Sequence, residues 1–387
     1  MGRLRVGLWG VLALLFVSGA SADAVTGTFT GSVALRGNYY YEESTRVEAP
    51  ALTATLESPR GVRVDGTYLI DAITSASQAT GVQADKPFRE IRHDIQGGLG
   101  HEFNVGKAQL DLSARGRFSK EPDYLSRGFG FAAALSFDQR NTVLRLNGYF
   151  LDDAVYRVDR FAPATRPNAL VANDARFVGK LDTLSLGVAW DQALTTLSWL
   201  TLGYDLSVME GFTANAYRSA VFQVIDTSRD KGGVAPEAHP DLRLRHALYG
   251  WFAHYVPATH TALRAGYRVY RDDWDITAHA PELRVYQELG PHFEVRLRYR
   301  YYTQSAASFW RKGGNISSDP YRTADPKMSP FLDHTFGGKL RLALGFLSHT
   351  PLQALQRAVL DFTLEYMINT NRYGNAWISQ GGMLVPF

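Results

Sequence analysis

The chain has 387 residues, no cysteine, and 41 Lys plus Arg against 38 Asp plus Glu. The absence of cysteine excludes a disulfide framework, a lipoprotein anchor, thiolate metal sites, c-type haem attachment and a cysteine nucleophile. A near-even charge balance gives no support for nucleic-acid binding over the whole surface, and 35 Gly, 20 Tyr and 21 Phe with almost no helical period speak against a string of ordinary globular domains.

Arg3 and Arg5 form a short basic region before an apolar run from Val6 to Val17, and Ala20-Ser21-Ala22 follows. This is the pattern of a secretory signal over residues 1–22, cut after Ala22, with residues 23–387 forming a single barrel domain. About twelve apolar residues are too few to span a bilayer as a helix. Removing Arg3 and Arg5 lowers the formal charge from +3 to +1.

Alternation with period two then runs through nearly the whole chain. Strands are predicted near 27–41, 46–57, 61–73, 89–104, 107–119, 125–138, 142–156, 178–192, 199–212, 242–256, 260–274, 276–289, 292–304, 333–348, 357–372 and 376–387. In Phe293-Glu294-Val295-Arg296-Leu297-Arg298-Tyr299-Arg300-Tyr301 every odd position is apolar or aromatic and every even one charged. Phe336, Gly338, Leu340, Leu342, Leu344 and Phe346 alternate with Lys339 and Arg341 in the same way. Runs of this length suit a tilted strand crossing about 25 Å of hydrocarbon.

Connections after even-numbered strands are short, such as Ser58-Pro59-Arg60, Val105-Gly106 and Gly290-Pro291, with two somewhat longer. Those after odd-numbered strands include the long ones, near 74–88, 157–177, 213–241 and 305–332. Short turns alternating with long loops predict an all-β, transmembrane, antiparallel up-and-down β-barrel of about sixteen strands in the bacterial outer membrane, with both termini in the periplasm. The partners this implies are outer-membrane lipid and, through the terminal strand with Met383, Val385 and Phe387, the barrel-assembly machinery. Tyr39, Tyr41, Trp190, Trp199, Tyr255, Trp274, Tyr301, Tyr302, Tyr373 and Trp377 are placed as an interfacial aromatic girdle.

Several segments, in order, resemble a family of Gram-negative outer-membrane barrels classified as a domain of unknown function. They are Val64-Asp65, Tyr68 and Asp71–Ser77, then Asp123–Gly128 and Arg140-Asn141-Thr142, then Ala216-Tyr217-Arg218, Pro240, Arg243 and Arg245. Tyr267–Ile276, Arg300–Ala307 and Thr323-Ala324-Asp325 complete the set, so the resemblance covers roughly residues 46 to 346. Thr74-Ser75-Ala76 departs from the more glycine-rich segment usual in the family. The resemblance implies fold and location, and it carries no activity and no functional residue.

Sixteen strands are wide enough for an aqueous channel. If the apolar face meets lipid, the alternating charges point inward. Arg264, Arg268, Glu282, Arg284, Arg296, Arg298 and Arg300, with Glu288 and Glu294, then form one wall; Arg63, Asp65, Asp71, Arg92, Asp94, Asp111, Arg115 and Arg117 form another. These are read as a charged, Arg-rich pore lining that favours a small anionic solute, or equally as a ladder of ion pairs that stiffens or closes the lumen. A porin-like channel, a closed scaffold or docking barrel, and an outer-membrane hydrolase all remain open.

No Gly-x-Ser-x-Gly elbow, His-Glu-x-x-His or phosphate loop occurs, so catalysis is not expected and no cofactor is implied. His93, His101, His246, His254, His279 and His334 are read as girdle or lumen residues. Asp272, Asp273 and Asp275 are either a calcium site or a solvated turn.

Overall fold

The computed structural model describes residues 27–43, 45–75, 88–158, 175–223, 233–311, 314–315, 320–371 and 373–387. The predicted signal segment and much of the longest loops lie outside the described residues. Nine strands come first: β1 (Thr30–Glu42), β2 (Thr45–Glu57), β3 (Val62–Ser75), β4 (Phe88–Val105), β5 (Ala108–Glu121), β6 (Tyr124–Phe137), β7 (Thr142–Arg157), β8 (Arg176–Ala193) and β9 (Ser198–Gly211). Two short strands follow, β10 (Ser219–Gln223) and β11 (Gly233–Pro236). Next are β12 (Leu242–Val256), β13 (Thr261–Asp272), β14 (Thr277–Leu289), β15 (Phe293–Gln304) and the two-residue β16 (Gly314–Asn315). β17 (Phe331–Ala343), β18 (Val359–Asn369) and β19 (Ala376–Pro386) end the chain.

All except β10, β11 and β16 join in one closed antiparallel barrel of sixteen strands. Each pairs with its neighbours in the chain, and β1 closes on β19. The seam is finished by two backbone bonds between Gly31 and Phe387, at 3.1 and 2.9 Å. Closure follows from the solvent: in hydrocarbon an open edge would leave a row of unsatisfied N–H and C=O groups. Tight turns gather at one end. Gly61, Gly106 and Gly290 adopt φ of 76°, 62° and 76° there, a region that a Cβ disfavours.

Every predicted strand is present, with displaced ends. β13 stops at Asp272 because its carboxylate accepts the backbone N–H groups of Trp274 and Ile276, at 3.1 and 2.9 Å, and turns the chain. β17 stops at Ala343, and Leu344–His349 form a 3-10 helix in place of the expected strand through Phe346. Thr350 Oγ1 donates to the Leu347 carbonyl at 2.9 Å, and Pro351 cannot supply a ladder donor. Strands β10, β11 and β16 make a separate small sheet from two of the long loops.

Candidate functional site: a charged lumen under interlocked loops

Leu99, Leu263, Leu283, Leu297, Phe336 and Phe362 stand exposed on the convex face. Their alternating neighbours converge on the concave one, where side chains two strands apart can touch. Asp65, Gly98 and Arg115 lie at one level on β3, β4 and β5. The Arg115–Asp65 pair spans 2.6 Å over the glycine, whose added Cβ would lie 2.4 Å from the Asp65 carboxylate. Glu365, Gly337 and Arg298 repeat the arrangement on β18, β17 and β15, with a 2.6 Å bond across the middle strand.

The predicted Arg-rich wall is therefore a ladder of pairs. Glu282 accepts both Arg284 and Arg298, and Glu365 binds Arg298 and sits 3.8 Å from Arg296. Arg300 pairs with Asp333 at 3.2 Å, and Arg268 with Asp205 at 3.0 Å. The Arg264 and Arg284 guanidiniums lie 4.6 and 4.8 Å from the Trp251 ring centre. On the opposite wall Arg63 pairs with Asp111, Arg92 with Asp71 and Arg117 with Asp94, at 2.5, 2.6 and 2.6 Å.

At the loop end, segments far apart in the chain interlock. Trp274, Ile276, Ala307 and Phe309 form a buried apolar cluster with Tyr270, Trp310 and Met328 against it. His239 packs on Trp274 and Phe309, with ring centres 5.3 Å apart in each case. Asp272 is not solvated. It holds Arg243 through Nε and Nη2, at 2.9 and 2.6 Å, beneath the Trp274 ring. Trp274 thus belongs to this cap and not to a lipid girdle, Tyr302 turns inward to donate to Gln304, and Tyr373 joins the cap.

Tyr217 and Arg218 cross the mouth. The Val158 N–H donates to Tyr217 Oη at 2.9 Å, while Arg218 Nη2 donates to Tyr373 Oη at 3.0 Å. Val158 follows β7 and Tyr373 follows β18, which lie eight strands apart around the ring of sixteen. Adjacent residues therefore tie opposite sides of the barrel together. Asp325 pairs with Arg218 and accepts Tyr373 Oη, and Glu237 accepts Thr323 Oγ1 at 2.8 Å. Burial pushes the Glu237 carboxyl up and the His239 imidazole down, and burial beside Asp325 pushes the Tyr373 phenol up to about 12. Although burial opposes its charge, Arg218 is held protonated by Asp325, Tyr373 and Glu237.

Four further histidines meet tyrosines on neighbouring strands. Tyr68 and His93, Tyr204 and His246, Tyr267 and His279, and Tyr299 and His334 meet at 2.6–2.9 Å, each pair bridging two adjacent strands on the outer face. Among the described residues one acidic group, Glu90, Glu121 and Asp123, has carboxylates close enough to share an ion, with Glu90 and Asp123 buried and Glu121 half-buried.

Sequence reasoning did not foresee the cap, yet the signal was present. Tyr217, Arg218, Arg243, Arg245, Trp274, Ile276, Ala307, Thr323 and Asp325 all lie in segments that carry the family resemblance. The fold brings these segments together.

A closed antiparallel barrel with an exposed apolar outer face and a charged interior is an outer-membrane β-barrel, seated in lipid. The chain belongs to the family described as Protein of unknown function (DUF3570), which matches residues 16–366. No curated protein matches the chain. Among solved structures it is similar to OccD3 (OpdP) of Pseudomonas aeruginosa, at 10% identity and a TM-score of 0.46 over 95% of this chain and 93% of that one. The ferric enterobactin receptor PfeA of the same organism gives 9% and 0.45 over 88% of this chain and 54% of that one. OccAB1 of Acinetobacter baumannii gives 10% and 0.43 over 95% and 98%.

Proposed function

We propose that this barrel is a selective channel for small solutes whose entrance is narrowed by the interlocked loops. The observation that carries the reading is the Tyr217–Arg218 crossing. It ties opposite sides of the mouth together above a lumen lined by paired charges. A barrel of sixteen strands with a polar interior has room for water, and the crossing subdivides that room. Arg264, Arg268, Glu282, Arg284, Arg296, Arg298 and Arg300 line the path. Because carboxylates meet most of these arginines, selectivity for anions rests on the surplus at Arg264 and on the shared pairs around Glu282 and Glu365. Catalysis has no support in this arrangement.

In a planar bilayer the wild-type protein is expected to conduct weakly, with reversal potentials in a salt gradient that favour anions. Arg218→Ala should raise the conductance by removing the bond across the mouth. Cation selectivity sinks the anion preference. No conductance in either protein favours the second reading, a closed scaffold barrel, for which the same crossing is the support. The long loops are proposed to face outward, with both termini in the periplasm and the strand ending at Phe387 read by the barrel-assembly machinery. A protease added to intact cells should then cut near Arg311, and cutting only after the outer membrane is opened would invert the topology.

A further inference from the structure

Below the cap, a cavity of about 430 Å3 opens on the lumen. Arg245, Arg268, Tyr302, Ile276, Lys327 and Met328 line it, so both the barrel wall and the β15–β17 loop contribute. Most polar groups around it are committed. Arg243 is held by Asp272, Arg268 by Asp205, and Gln304 Nε2 donates to the carbonyls of Lys327 and Ser329 at 2.9 and 2.8 Å.

Arg245 differs. Among the described residues no carboxylate lies within ion-pair distance of it, and its buried Nε finds no acceptor. The residue is half-buried, and a charged nitrogen withdrawn from water without an acceptor, as its Nε is, is costly. Its fork of donors is shaped for a carboxylate or phosphate. Facing it across the same cavity are the apolar side chains of Ile276 and Met328, with Lys327 offering a second cation. A volume of this size falls within the usual range for small-molecule sites.

We infer that Arg245 anchors a binding site for a small organic anion, a carboxylate carried on an apolar body. The carboxylate supplies the acceptor that Arg245 lacks, and the body fills the space against Ile276 and Met328. Inorganic phosphate offers the same head chemistry but nothing for the apolar wall. The site stands apart from the channel reading, because it requires occupancy and not passage.

The test is calorimetric titration of the purified full-length barrel in detergent with benzoate, its uncharged isostere benzamide, and inorganic phosphate. Benzoate is expected to bind at one site at least tenfold more tightly than benzamide. Arg245→Met should weaken benzoate at least tenfold, while Arg36→Met, on the lumen face of the distant β1, should leave it unchanged. Methionine removes an uncompensated charge, so folding is expected to survive. Should that variant fail to fold, Arg245→Lys keeps the charge, loses the fork and is expected to bind more weakly than wild type. Equal binding of benzoate and benzamide overturns the proposal, as does full affinity in the Arg245 variants or phosphate binding without benzoate binding. Benzoate binding in a barrel that does not conduct sinks only the channel; conductance without benzoate binding sinks only this site.

Discussion

The wall formed by β3, β4 and β5 and the wall formed by β12 to β18 use the same residue types in different accounts. On the first, each aspartate meets its own arginine: Asp65 with Arg115, Asp71 with Arg92, Asp94 with Arg117, Asp111 with Arg63. On the second, Glu282 and Glu365 are each shared, Arg264 leans on an aromatic ring, and Arg245 has no carboxylate within ion-pair distance among the described residues. The interlocked loops rise from this second wall. A neutral ladder stiffens a barrel and leaves its lumen without a field. On the channel reading proposed above, a ladder with surplus guanidinium under a cap would create a positive potential along the solute path. The two walls would then divide the labour, one holding shape and the other meeting the solute.

Substitutions on the lipid face should not distinguish the walls. Leu99 and Leu297 are 57% and 58% exposed on opposite sides of the barrel, and arginine at either should cost about 2–4 kcal/mol near the bilayer midplane. Urea unfolding in lipid vesicles measures this, and a lossless Leu297→Arg would mean the inside–outside phase is wrong. Inward substitutions should separate them. Among the described residues Arg117 is the one cation paired with Asp94, which is 3% exposed and otherwise accepts the 2.9 Å bond from Gln96, so Arg117→Ala is expected to cost about 3 kcal/mol. Arg298→Ala leaves Glu282 with Arg284 and Glu365 near Arg296, so the loss should be about 1–2 kcal/mol. Equal losses would remove the distinction between private and shared partners.

The barrel was legible in the sequence because a membrane imposes period two on every strand and alternates short turns with long loops. Both signals survive without knowledge of contacts. The ends of β13 and β17 were not legible, because Asp272 and Thr350 fix them by side-chain bonds to nearby backbone, which override apolar alternation. The lumen phase of Arg298 could be read, but its partner could not. Glu365 lies 67 residues away and reaches it only because Gly337 leaves the strand between them bare. The cap was least legible. Trp274 read as a girdle residue and Asp272 as a possible calcium ligand, since loop residues carry no period and their contacts come from folding at a distance.

The smallest expected effect concerns the junction between the capped wall and its cap. His239 lies against Trp274 and Phe309, with Nδ1 3.2 Å from the Thr213 carbonyl and Nε2 3.7 Å from Glu237. Burial lowers its pKa first of all, Arg243 and Arg218 lower it further, and the Thr213 contact and Asp325 oppose them without winning. The unfolded segment therefore binds the proton more readily, and the cap loses stability as pH falls below about 6.5, the ordinary imidazole value. Glu237 works the other way, because burial raises its pKa and acid favours its folded form. Comparison with His239→Gln isolates the imidazole. Between pH 7.5 and 5.5 the wild-type cap should weaken relative to that variant, by no more than about 1.4 kcal/mol for each unit of pKa depression. Hydrogen exchange at the Ser308 amide, which donates to the Trp274 carbonyl at 2.9 Å, reports it. Exchange that accelerates equally in both proteins would place the sensitivity in Glu237 or in the wall, and the imidazole would then be only a packing element of the cap.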